Sequence, residues 1–184
     1  MKDTLIVNLI APPGAGKSTM AADIFAKLKW LNIDCELITE FAKELVWEER
    51  SETFKNEIYI FAKQFHRIFR VVGKVDVIVT DRPLILSLYY NQKYGGGRFN
   101  KLNDLVLEQH NRFNNFNIYL NRVKKYNSNG RNQSEKESDN MGIEIKAMLD
   151  KYGVPYCMFD GKKEDADIVV SKIVKMINLK TSEC

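Results

Sequence analysis

The chain has 184 residues, 45% of them hydrophobic and 28% charged, which suits one globular domain with a single core and is too short for two of ordinary size. Its 28 Lys and Arg stand against 24 Asp and Glu for a formal charge of +4, and no block of five like charges gathers that excess into an arm, so dedicated non-specific DNA binding is not indicated. No stretch reaches the roughly 18 apolar residues of a membrane-spanning helix. Cys35, Cys157 and Cys184 are too few and too scattered for a disulfide framework or a Cys-x-x-Cys metal site, and their odd number suits a reducing compartment, so the expectation is a cytoplasmic protein with no membrane partner.

Taken in chain order, short apolar runs at 5–11, 35–39, 75–80, 117–120 and 154–159 read as strands. Longer amphipathic stretches at 17–30, 41–49, 53–72, 83–92, 102–113, 134–151 and 165–179 read as helices. Strands alternating with helices in this way predict a three-layer α/β fold with a five-stranded parallel sheet, residues 1–184 forming one domain. Ligands of such sheets bind outside the carboxyl ends of the strands. Two irregular segments stand apart from the pattern, one holding Gly95-Gly96-Gly97 and one spanning Lys124 to Ser134. Each is long enough to cover a site.

Between the first strand and the first helix lies Ala11-Pro12-Pro13-Gly14-Ala15-Gly16-Lys17-Ser18-Thr19, the strand-loop-helix context of a Walker A motif, with Ala11 where the strict pattern has glycine. Gly14 and Gly16 let the backbone curl, after Pro13, so that its N–H groups from Gly14-Ala15-Gly16 into Lys17-Ser18-Thr19 surround an anion. The positive end of the helix adds to that pull, the Lys17 ammonium can bridge β- and γ-phosphate oxygens, and the Ser18 hydroxyl can hold Mg²⁺. The motif predicts a P-loop that binds a nucleoside triphosphate, without distinguishing a kinase from a switch or a motor.

Asp81 closes the apolar run Val75-Asp76-Val77-Ile78-Val79-Thr80 as a Walker B carboxylate does, on the Mg²⁺ side; the competing reading is a helix cap ahead of Pro83. Glu40 ends the second strand. If the first strand lies between the second and third, or beside the third with the second outside, Glu40 faces the crevice, where it can take the proton of an acceptor hydroxyl or hold that hydroxyl in line. Arg122 and Arg131 flank a polar segment that reads as a lid over 122–134, closing on the triphosphate to neutralise charge on the transferring group. Arg82 is a candidate for a phosphate or acceptor contact, with an ion pair as the alternative. The aromatics of 53–72 read as core, with Gln64 and Arg67 able to face an acceptor, while His66 and His110 make no metal-ligand cluster. Asp160-Gly161-Lys162 is where a nucleotide base is expected.

These residues together resemble the small P-loop kinase-like ATPases commonly encoded by bacteriophages, and more distantly the ribosylnicotinamide kinases and the nucleoside and nucleotide kinases. The likeness rests on the Ala11 to Thr19 loop, Glu40-Phe41-Ala42-Lys43-Glu44, Thr80-Asp81-Arg82-Pro83 and the Arg122 to Arg131 segment. The resemblance implies a nucleoside/nucleotide-kinase-like fold and transfer of the γ-phosphate of ATP, with Mg²⁺, to a hydroxyl or phosphate of a small nucleoside-like acceptor. A phage origin would place it in the host cytoplasm. Two other readings stand beside it. One is a regulatory NTPase acting through a protein partner, which lacks support from a guanine-reading motif, since Leu120-Asn121-Arg122 follows the fourth strand. The other is a kinase of hydroxymethylated bases in DNA, which would need a basic groove through residues such as Lys93, Arg98 and Lys101.

Overall fold

All six residues of β1 (Leu5–Ile10) are buried, because the strand is central and its alternate side chains enter two different cores. The computed structural model describes residues 2–95, 99–123, 125–127 and 133–181; Gly96, Gly97, Arg98, Lys124, Arg131 and Cys184 lie outside them. After β1 come α1 (Lys17–Trp30), β2 (Cys35–Ile38), α2 (Ala42–Trp47), a 3-10 turn (Ser51–Lys55) and α3 (Glu57–Phe69). There follow β3 (Val77–Thr80), α4 (Leu86–Tyr94), α5 (Asn100–Asn111), β4 (Asn114–Leu120), α6 (Glu135–Lys151), β5 (Cys157–Phe159) and α7 (Asp165–Thr181).

The sheet order is β2-β3-β1-β4-β5 with every pairing parallel. Leu5, Val7 and Leu9 share one face with Val77 and Val79 and pack against Ile24 and Leu28 of α1 and Val169 and Ile173 of α7. Ile6 and Ile10 point the other way with Ile78, onto Phe61, Ile68, Leu86 and Ile145 from α3, α4 and α6. Each such side chain removed wholly from water stabilises the fold by about 1.5–3 kcal/mol, so the two-sided burial of β1 anchors the loop that follows it.

Element boundaries differ from the sequence expectation where a side chain competes with the backbone. The expected helix over 53–72 is divided, because Asn56 caps α3 by accepting the Tyr59 N–H (3.2 Å). β4 begins three residues before the expected start. Asn115 and Asn117 have poor strand propensity, yet both accept from the Asn8 amide (2.8 and 2.9 Å), and their own amides reach the carbonyls of His110 and Pro155. That satisfied polar ladder carries β4 alongside β1. β5 is shorter than expected, starting only at Cys157, since Pro155 offers no N–H to a ladder.

His110 is 5% exposed, and burial draws its imidazole down to about 4. The unfolded chain binds this proton near pH 6.5 and the folded chain only near pH 4, so native stability falls as pH drops through that interval and is untouched above it. The loss sums to about 3 kcal/mol at most. Urea midpoints measured from pH 7 to 4 are expected to show this decline, and His110→Gln to remove it.

Candidate functional site

The P-loop runs from Ala11 to Gly16 and opens α1. Gly14 (φ 81°) and Gly16 (φ 94°) both lie in the left-handed region, which costs a residue bearing a Cβ about 1–2 kcal/mol. A Cβ on Gly16 would meet nothing within 4 Å, so glycine is required there by backbone conformation and not by space. Ala11 has no such demand: it is absent from the positive-φ residues and its methyl is wholly buried with the α1-side core. The Lys17 ammonium donates to the carbonyls of Ala11 (2.8 Å) and Pro12 (3.1 Å), folding the side chain back along the loop.

Two contacts that the sequence reading missed hold the loop from either side. The Ser138 hydroxyl of α6 donates to Pro13 O (2.6 Å). Gly142, one turn on, lies so near that a Cβ would come 3.3 Å from Pro12 Cγ and 3.2 Å from the Tyr119 hydroxyl. Small residues four apart on a helix were the available signal. Opposite, Gly161 in the turn after β5 approaches the Ala15 carbonyl closely enough that a Cβ would sit 3.4 Å away. The Asp160-Gly161-Lys162 turn therefore abuts the loop, with Asp160 held by Asn121 (3.3 Å) and Lys162 (2.9 Å).

Because β3 neighbours β1 and β2 lies outside it, the carboxyl ends of all three bring Ser18, Asp81 and Glu40 together. Asp81 is 4% exposed; its Oδ2 accepts from the Ser18 hydroxyl (2.6 Å) and its Oδ1 from the Glu40 backbone N–H (2.9 Å). It caps no helix, as α4 starts at Leu86. The Glu40 side chain, 28% exposed, borders a cavity of about 640 Å³. Gln64 and Arg67 do not face that cavity. Gln64 accepts the Phe41 N–H (3.0 Å), and Arg67 donates to Thr39 O (3.1 Å), pairs with Glu44 and covers the Phe41 ring. Both brace the turn that carries Glu40.

Arg82 is an ion-pair partner. Its guanidinium, 3% exposed, donates from Nη2 to Glu57 Oε1 (3.2 Å), places Nε 3.6 Å from Glu40 Oε1, and lies over the Tyr90 ring at 4.2 Å. Glu57 is 2% exposed; burial pushes its carboxyl up, against the pull of Arg82 and the Ser87 hydroxyl. Sequence reading singled out neither Glu57 nor Tyr90, because nothing local marks a helix-start glutamate as buried. From Lys17 and Ser18 the cavity passes Glu40 and Arg82 and continues between Ala42, Val46, Phe54, Ile60, Tyr90 and Tyr94.

Arg122 lies away from the described wall of this cavity. Its guanidinium pairs with Glu135 (2.6 Å) and Asp139 of α6 and lies near the Tyr126 ring. Arg131 lies outside the described residues. Lys93 borders the cavity and pairs with Glu144 (2.7 Å), whereas Lys101 pairs with Asp104 and is not among the described residues of the wall. His66 is exposed, and among the described residues no three His, Cys, Asp or Glu side chains cluster as a metal site. No helix among them is long and apolar enough to cross a membrane.

A parallel β2-β3-β1-β4-β5 sheet, a glycine loop opening α1, and Ser18 against the carboxylate ending β3 define a P-loop NTPase fold. The chain belongs to a family described as an AAA domain, whose model matches residues 6–165. No curated protein matches it. Among solved structures it is similar to the NadR protein in complex with NR, with a TM-score of 0.70 and 14% identity over 91% of this chain and 51% of that one. The chain thus spans about half the length of that protein, and the likeness is one of fold.

Proposed function

We propose that this protein is a small-molecule kinase that moves the γ-phosphoryl group of ATP to a hydroxyl or phosphate of a nucleoside-like acceptor. The observation that carries the reading is the continuity of the cavity. A hydrolytic switch needs room for a water, but this cavity extends from the P-loop past a carboxylate into a chamber where aromatic and apolar side chains alternate with Lys43, Lys55 and Lys93, and its 640 Å³ is in the range that holds a whole small ligand. The NadR protein's structure with NR bound is in keeping with such an acceptor.

In this reading the backbone from Pro13 to Thr19 and the Lys17 ammonium hold the triphosphate. Ser18 and Asp81 suit Mg²⁺, since both are hard oxygen donors and they meet at 2.6 Å beside the loop. The ion when bound would neutralise phosphate charge. Glu40 accepts the proton of an acceptor hydroxyl as its oxygen bonds to the γ-phosphorus and the bond to the β-phosphate oxygen breaks, releasing ADP. The 122–134 segment serves as a lid, Arg122 exchanging Glu135 and Asp139 for phosphate oxygens and Arg131 joining it.

The test is transfer from γ-labelled ATP with Mg²⁺ to nucleosides, nucleoside monophosphates and hydroxymethylated DNA, beside a no-acceptor control. One small labelled product is expected. Label released only as free phosphate, whatever the acceptor, overturns the kinase reading in favour of a regulatory ATPase.

A further inference from the structure

The Asp81-Arg82 dipeptide grips Glu40 at both ends. Asp81 takes the Glu40 backbone N–H, while Arg82 places Nε beside the Glu40 carboxylate. Arg82 is itself held from below by Glu57 and across its face by the Tyr90 ring. Three charges, two negative and one positive, are thus stacked along the cavity wall from the buried Glu57 through Arg82 to Glu40. A buried pair of this kind is a weak source of stability, because desolvating both ions offsets most of their attraction. Satisfaction is also incomplete, as Arg82 Nη1 is buried without a hydrogen-bond partner among the described residues. A packing role would be served as well by apolar side chains; a fixed guanidinium edge at Glu40 would not.

We infer that Glu57 and Arg82 are positioning residues, a buried ion pair whose task is to hold the Glu40 carboxylate against the cavity wall in the orientation that phosphoryl transfer uses. The inference rests on the role proposed for Glu40. Glu57 aims the guanidinium, Tyr90 fixes its plane, and the Nε edge limits the swing of a side chain that is otherwise open to the cavity. Neither Glu57 nor Arg82 needs to touch the transferred group. A planar guanidinium meets Glu57 through Nη2 and Glu40 through Nε at once, which a lysine ammonium does not reproduce.

A mutant cycle tests this by total consumption of γ-labelled ATP, to acceptor or to water. Glu57→Gln/Arg82→Met removes both buried charges together, so neither is left unpaired. It is expected to lower kcat at least ~10-fold with the acceptor KM and ATP affinity within about twofold of wild type, while Glu40→Gln lowers kcat by ~100-fold or more. Combining all three substitutions is expected to cost no more than Glu40→Gln alone, within about twofold, because residues acting through one group are not additive. Wild-type kcat in the double variant, or losses that multiply, overturns the inference, as does a Glu40→Gln variant with full turnover. Should the wild type pass label only to water, the small-acceptor reading falls while the same cycle on phosphate release still decides this one. If the double variant does not fold, Arg82→Lys, which keeps a cation against Glu57, goes through the same cycle with the same outcomes.

Discussion

Lys17→Ala is expected to abolish nucleotide turnover while leaving the fold intact. The ammonium donates to the Ala11 and Pro12 carbonyls at 2.8 and 3.1 Å, hydrogen bonds from a charged donor worth about 1.5–3 kcal/mol net, a loss that a domain with about 5–15 kcal/mol of stability survives. Toward a triphosphate the same ammonium faces full negative charges. Two unit charges 4 Å apart at an effective dielectric of 20 interact by about 4 kcal/mol, and that amount corresponds to roughly 10³ in rate or affinity. The variant should therefore show an unchanged circular dichroism spectrum, with ATP binding and γ-phosphate turnover lost to near the detection limit. Wild-type ATP turnover in purified Lys17→Ala protein would remove the loop from the mechanism.

The second large effect concerns Glu40. Glu40→Gln keeps the shape of the side chain and leaves the backbone N–H on Asp81, so the P-loop and the Ser18–Asp81 pair are undisturbed. What disappears is the ability to accept a proton, a function worth about 10²–10⁴ in rate where it operates. Transfer to the acceptor should fall by that factor with ATP affinity unchanged, measured by single-turnover transfer alongside nucleotide titration. The loss should fall on kcat and spare the acceptor KM, because an amide still hydrogen-bonds a hydroxyl in the ground state. Undiminished transfer would take Glu40 out of the base role.

The two predictions draw on different kinds of legibility. Lys17 could be placed from sequence because the motif is local. Its glycines, lysine and serine are consecutive, and their chemistry depends on a strand before them and a helix after them, both readable from apolar periodicity. Asp81 was legible for the same reason, since it closes a run of buried β-branched residues. Arg82 was ambiguous between a ligand contact and an ion pair, and the ambiguity was intrinsic. Its partner Glu57 is 25 residues away, on a helix whose start depends on Asn56 capping Tyr59. Gln64 and Arg67 were read as able to face an acceptor by their position after the second strand; in the folded protein they turn to the Thr39–Phe41 turn instead, because that turn has backbone groups that they satisfy.

Arg122 shows the same limit in another form. A basic residue after a strand reads as free to reach phosphate, yet α6 brings Glu135 and Asp139 alongside it, so any move toward a nucleotide exchanges two carboxylates for phosphate oxygens. The tie between Ser138 and Pro13, 125 residues apart, likewise explains why a Pro12-Pro13 pair suits this loop: a rigid turn is pressed between α1 and α6.

By itself the amino-acid sequence determined that this is an α/β protein with five parallel strands and a phosphate-binding loop, since each of those features is written in the period, length and turn chemistry of consecutive residues. Only the tertiary structure decided that β3 separates β2 from β1, that the Asp81 carboxylate joins Ser18 to Glu40, and that Arg82 links Glu57 to Glu40. Those relations are contacts across 25 to 63 residues of chain, set by which hydrophobic faces pack and which buried charges find partners. No local pattern encodes a neighbour that arrives from another strand.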